Sequence, residues 1–195
     1  MDNTGIETKK QTEEVRNLFL FEVGDELYAV DVEFVDRVMK IPPITPIPNS
    51  PSAILGIFHS RGKVILAIDI ATRMGTPKVK PLSPSFLFVV QIQKDFFAIL
   101  IDKPKNIVHI PAHEILLAGP LITAHTPPKY IEGVFMHVET PLQKQIKRSF
   151  LIVATTSTHV KNEAVKEIKR PVVLLNLKQL LNQEDLQQIF TSQES

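Results

Sequence analysis

The chain contains no cysteine. It therefore has no disulfide frame, no thiolate nucleophile and no cysteine-bound zinc, which fits a reducing cytosol. Glycine is scarce at seven residues, and none falls in a G-x-G-x-x-G or G-x-x-x-x-G-K-[ST] loop of the kind that cradles phosphate. G-x-S-x-G and H-E-x-x-H are also missing. Neither sign of charge dominates: 22 Lys and Arg face 21 Asp and Glu, a formal net charge of +1. So balanced a chain has no long-range field to draw in nucleic acid or an anionic membrane. Long apolar runs are lacking too. The strongest stretch, 85–102, is broken by Gln91, Gln93, Lys94 and Asp95, short of the ~20 apolar residues a spanning helix needs. The first ten residues are polar and mixed in charge, unlike a signal peptide. These absences predict a cytoplasmic protein with no membrane insertion, no bound metal or cofactor and no catalytic centre.

What is present is a sizeable apolar content, 44% of 195 residues, enough for one compact domain or two small ones sharing a core. Residues 1–16 read as a flexible tail. Leu18–Val23 and Leu27–Val32 flank Gly24-Asp25-Glu26 and predict a hairpin. Glu33–Met39 fits a short helix or a third strand. Ile41-Pro42-Pro43-Ile44-Thr45-Pro46-Ile47-Pro48 is too rich in proline for a helix interior or a central strand, and reads as an extended connector. Leu55–Phe58 and Lys63–Ile68 predict two more strands around His59-Ser60-Arg61-Gly62.

The pattern then repeats. Phe19-Leu20-Phe21 with Val23 recurs as Phe86-Leu87-Phe88 with Val90, an offset of 67. Ala29-Val30-Asp31 is echoed by Leu100-Ile101-Asp102, Gly56-Ile57-Phe58 by Gly133-Val134-Phe135, and Leu66–Ile70 by Leu174–Leu177. Short sheets of about five strands avoid exposed edges by curling into barrels. The expected fold is all-β: two small five-stranded barrels side by side, with short helices and a C-terminal helix. Residues 17–78 would form the first barrel repeat and 84–190 the second, with an insertion at 138–170 and a tail at 191–195. Within the insertion, Ser149–Ala154 fits an extra strand and Asn162–Lys169 a short helix. Leu177–Phe190 fits one or two helices.

Candidate chemistry is sparse. His109 and His113 are four apart, but Pro111 argues against a helix that would aim both at one metal. Asp31, Asp69 and Asp102 read as turn or cap residues. The insertion carries Lys144, Lys147, Arg148, Lys161, Lys166, Lys169 and Arg170, but lacks the interleaved aromatics of a single-strand binder. A hydrolase or metal enzyme on a β-barrel and a nucleic-acid binder are the readings from other classes. A hydrolysis screen or a steep salt dependence of DNA binding would reveal them.

Phe19 through Val32, the motif Gly56-Ile57-Phe58-His59-Ser60-Arg61-Gly62, the strand Lys63–Asp69, and Leu174-Leu175-Asn176-Leu177-Lys178-Gln179-Leu180-Leu181 fall in one order. In that order the chain resembles the CheW-type coupling proteins of bacterial chemosensory arrays. The resemblance implies twin barrels around a shared apolar core and no catalytic activity. It implies two partners: the regulatory domain of a CheA-type histidine kinase and the cytoplasmic tip of a methyl-accepting chemoreceptor. By the same resemblance the receptor-facing groove would include Val35, Arg61, Gly62 and Phe97. An arginine suits such a site, since its planar fork holds carboxylates or carbonyls and keeps its charge when partly buried. His59 and Ser60 depart from the family motif, which has Asn and usually an apolar residue there. A divergent paralogue in another chemosensory-like pathway, such as surface motility or gene regulation, is the alternative, with the insertion setting partner choice.

Overall fold

A computed structural model describes residues 14–75, 86–117, 126–139 and 168–182. Ten strands run in order: β1 (Val15–Val23), β2 (Glu26–Asp31), β3 (Val35–Lys40), β4 (Ile54–Ser60), β5 (Lys63–Asp69), β6 (Phe86–Ile92), β7 (Asp95–Ile101), β8 (Lys103–Pro111), β9 (Ile131–Glu139) and β10 (Ile168–Leu175). Among the described residues two short helices, α1 (Ile70–Met74) and α2 (Leu177–Leu180), follow β5 and β10. Sheet A has the order β8-β1-β2-β10-β9 and sheet B the order β3-β6-β7-β5-β4.

The apolar runs are continuous because most strands are buried on both faces. Along β1, Leu18 and Leu20 point into sheet A's own interior with Leu27, Ile110, Phe135 and Leu174. Phe19, Phe21 and Val23 point the other way, into a central core with Phe88, Val90, Phe97 and Ile99 of sheet B. Sheet B encloses a third cluster around Phe58, Ile65, Leu87 and Val89. Ile110 and Phe135 come from the two edge strands of sheet A yet share one interior, so the sheet curls into a barrel. The rings of Phe21 and Phe88 lie 4.9 Å apart and join the barrels. Aromatic pairs of this kind add about 0.5–1.5 kcal/mol beyond the area they bury. The all-β expectation and its two five-stranded sheets hold.

The assignment of halves to barrels needs correction. Residues 17–78 do not form one barrel and 84–190 the other. Sheet A takes β1 and β2 from the first half and β8, β9 and β10 from the second. Sheet B takes β3, β4 and β5 from the first and β6 and β7 from the second. Each half lends its leading hairpin to the other half's sheet, through the parallel pairs β2–β10 and β5–β7. Two copies of one strand order make both sheets, related by a pseudo-two-fold.

The offset of 67 also shifts. Val23 and Ile92 end the first strand of each hairpin, 69 residues apart, and Gly24 and Gln93 follow at φ 61° and 56°. Phe19 thus corresponds to Phe88, not Phe86. The equivalence of Gly56 with Gly133 stands. A Cβ on Gly56 would lie 2.2 Å from the Thr45 carbonyl oxygen, and one on Gly133 2.5 Å from Ile115 Cγ2 and 3.1 Å from the Leu116 oxygen. In both halves the segment after the edge strand crosses here, with Thr45 bridging Ile57 and Leu116 bridging Val134. Asp69 and Asn176 are also a matched pair. Each caps its helix by accepting from the backbone N–H three residues on, at 3.1 Å. Arg73 of α1 donates to the Leu180 carbonyl of α2 at 3.2 Å and ties the two halves together.

Several boundaries move. Val15 and Arg16, read as tail, begin β1. Glu33 and Phe34 sit in a 3-10 turn and β3 follows as a strand. Val138, Glu139 and 168–170, assigned to the insertion, are strand residues, so Ile168 and Lys169 do not end a helix. The strand expected at Ser149–Ala154, the helix at 162–167, the C-terminal residues beyond Asn182 and both distal tails lie outside the described residues. Among the described residues no helix is long and apolar enough to cross a membrane.

Candidate functional site

Strand register builds the site. Val35 pairs with Val90, Val90 with Phe97, Phe97 with Leu66, and Leu66 with Ile57. These five residues form one row across sheet B, on the face turned to the central core. The core cover ends along this row. Val35 and Ile57 are half-buried, whereas Phe97 is 7% exposed. Two residues further toward the strand turns, on the same face by the period of two, lie Ile92, Asp95, Val64 and His59. Val64 is 56% exposed, and Asp95 and His59 are also exposed. Ile92 and Val64 thus carry a narrow apolar shelf outward from the central core, flanked by the polar Asp95 and His59.

The β4–β5 turn stands at the margin of this shelf. Arg61 and Gly62 take φ 49° and 73°, and both are exposed. Two successive positive φ values are the signature of the tight two-residue hairpin turn whose twist suits its strands. Glycine adopts this conformation freely, whereas Arg61 does so at a cost of about 1–2 kcal/mol. Among the described residues Arg61 makes no ion pair or hydrogen bond, so its fork is available. Its neighbour is fixed: Arg37 of β3 donates to Ser60 Oγ at 2.8 Å and also pairs with Asp36. This bond joins the two edge strands of sheet B beneath the turn. Lys63 Nζ sits 3.5 Å above the Phe96 ring on the other flank.

Of the four expected residues, Arg61 and Gly62 share the exposed β4–β5 turn, and Val35 is half-buried on the other edge strand, β3. Phe97 is a wall of the central core rather than open surface. Sequence reasoning overlooked Val64 and Arg37. Val64 lies in the unbroken apolar run 64–68, which predicts burial on both faces. The exposure of one end of that run shows only in three dimensions.

The equivalent end of sheet A is built differently. Lys105 Nζ lies 2.7 Å from Glu22 and 3.3 Å from Glu139, and Arg170 lies 3.4 Å from both carboxylates. Arg170 also donates to the Asp25 carbonyl at 2.6 Å. Burial alone would lower the Lys105 pKa, but Glu22 and Glu139 outweigh it and hold the ammonium charged above its usual range. Burial alone would raise Glu139, but Lys105 and Arg170 hold it below its usual range. His137 is pushed down, chiefly by burial.

The other expected residues act structurally. Asp31 pairs with Arg16, and Asp102 accepts from the Gly24 N–H at 2.6 Å. His109 lies on β8, 2.5 Å from Asn17 Oδ1, while His113 lies in the 3-10 turn after that strand.

The CheW-like domain family matches residues 17–185. The chain belongs to that family. Among curated relatives, it is 28% identical to a probable chemotaxis protein CheW of Rhizobium etli over 61% of this chain and 76% of that protein. It is also 28% identical to the chemotaxis protein CheW of Rhizobium meliloti, over 51% of this chain and 64% of that protein. The match thus spans a little under two thirds of the R. meliloti protein. The crystal structure of the scaffolding protein TtCheW from Thermoanaerobacter tengcongensis superposes with a TM-score of 0.63 at 22% identity. That superposition covers 89% of this chain and 92% of the other and shows the shared fold.

Proposed function

We propose that this CheW-like chain is a non-catalytic cytoplasmic adaptor of bacterial chemosensory signalling. It docks the cytoplasmic tip of a chemoreceptor and the regulatory domain of a CheA-type histidine kinase on one rigid body. The observation that carries this reading is the unpartnered Arg61, held on a tight turn beside an apolar shelf, in a chain of the CheW-like family. A helical tip with an apolar face and nearby carboxylates or carbonyls matches those two chemistries. In this reading Val35 and Val64 give apolar contact and Arg61 gives charge-assisted bonds. Gly62 lets the turn approach closely, and Phe97 supports the shelf from below. Two weak contacts on one body raise the effective concentration of kinase at the receptor.

The test is Arg61→Ala, titrated against a receptor cytoplasmic fragment. Loss of about 1–3 kcal/mol of binding with unchanged thermal stability is expected. Unchanged affinity removes Arg61 from the site.

A divergent paralogue is favoured by one observation. The β4–β5 turn has two residues, while β9 and β10 at the equivalent junction are separated by residues 140–167. In that reading this segment selects the partner. Deleting 140–167 would then change which kinase is captured while leaving receptor binding intact.

A further inference from the structure

Among the described residues, every strand ladder that joins one hairpin to another strand crosses between the two halves of the chain. Within residues 14–75 the only ladders are β1–β2 and β4–β5, and within the described part of 86–182 only β6–β7 and β9–β10. The four remaining ladders, β1–β8, β2–β10, β3–β6 and β5–β7, all pair one half with the other. Apart from the bridges Thr45–Ile57 and Leu116–Val134, each half is thus an open piece whose strand edges are completed by its counterpart. A second copy of the chain carries the same counterpart, with the same edges in the same register.

From this we infer that two copies can exchange halves. In that dimer the first half of one copy closes both sheets with the second half of the other, and reciprocally. No new interface is needed, because all four crossing ladders and the central core are those of the single chain, as in other exchanges of identical elements. The product carries two complete copies of the Arg61 turn and its apolar shelf, a bivalent form of the surface described above. The inference rests on the ladder connectivity and stands whether or not that surface binds a receptor.

The absence of cysteine makes the test clean. Asn17 of β1 and His109 of β8 are directly opposed across an inter-half ladder, and both are exposed. Antiparallel partners lie about 4.5–5.5 Å apart at Cα, within disulfide range. Full-length Asn17→Cys and His109→Cys chains with different tags would be co-expressed, purified through both tags in sequence and oxidised. The expected result is a species of twice 22.0 kDa by light scattering. In it, mass spectrometry should find a disulfide-linked peptide pair that joins position 17 of one tagged chain to position 109 of the other. Light scattering that shows monomer alone overturns the inference, and needs no disulfide to do so. So does a dimer whose cross-links join only like to like, or a dimer without the crossed peptide pair when the double variant Asn17→Cys/His109→Cys closes its own bond.

Discussion

Sheet A ends beside residues 140–167 in a cluster of two cations and two carboxylates, whereas sheet B ends at the equivalent place in a bare turn carrying Arg61. The frame around these ends is the same in both: strand order, crossing glycines and helix caps. What differs is how the last turn of each barrel is used. In sheet A charges satisfy one another and pin four strands together. In sheet B the Arg37–Ser60 bond links the two edge strands, and among the described residues the neighbouring Arg61 guanidinium stays open. The repeated strand order sets how both sheets close, while their strand ends differ: sheet A carries internal ties and sheet B an accessible cation.

The largest test of this comparison lies at the matched glycines. Gly56→Ala meets backbone oxygen and forces a residue with a side chain to φ 135°, so a loss of about 3–4 kcal/mol is expected. Gly133→Ala meets mainly the Ile115 side chain, without a positive φ, and should cost about 1–3 kcal/mol. Denaturant midpoints of the two variants check the ranking; equal losses would show that the backbone contact and positive φ at Gly56 do not set it. The caps come next. Asp69 is 2% exposed and also accepts from Thr72 Oγ1 at 2.9 Å, so Asp69→Ala should cost about 1–2 kcal/mol. Asn176→Ala, at a cap with a single bond to an exposed partner, should cost about 0.5–1 kcal/mol. The smallest effect is in pH. Folded His137 takes a proton less readily than unfolded histidine. Its contribution is therefore complete above the usual 6.5 and falls away as the solution is acidified below it. Glu139, held below its usual 4.5, adds a further loss at lower pH as it is protonated. His137→Gln should flatten the stability profile between about pH 7 and 5 and leave the more acidic fall. An unchanged profile would dissociate His137 from the acid response.

Part of the frame was legible from the sequence, because hairpins and caps are local signals, and the recurrence of Gly56 at Gly133 was visible though its crossing was not. Gly24 and Asp69 each mark a turn or a cap within a few residues of chain, whereas the cap at Asn176 emerged only in the structure. The offset was misread by two because a slip of two keeps every side chain on its original face, and apolar patterning cannot detect it. The hairpin registers and the positive φ shared by Gly24 and Gln93 fix the true offset, and glutamine gives no such signal in sequence. The hairpin exchange was hidden for a different reason. The order of strands along a chain does not say which will pair, and the parallel ladders β2–β10 and β5–β7 join distant segments. At the candidate site, Arg61 and Gly62 were legible as a turn motif. The burial of Phe97 and the exposure of Val64 depend on where one barrel stops covering the other.

The exchanged hairpins also set an order of assembly during synthesis. As the chain leaves the ribosome, sheet B has all its strands once Ile101 has emerged. The β1–β2 hairpin, which precedes the other described strands, must wait for β10, the last of them, before its own sheet can close. Of the described strands, the first two in chain order are thus among the last to be locked in place.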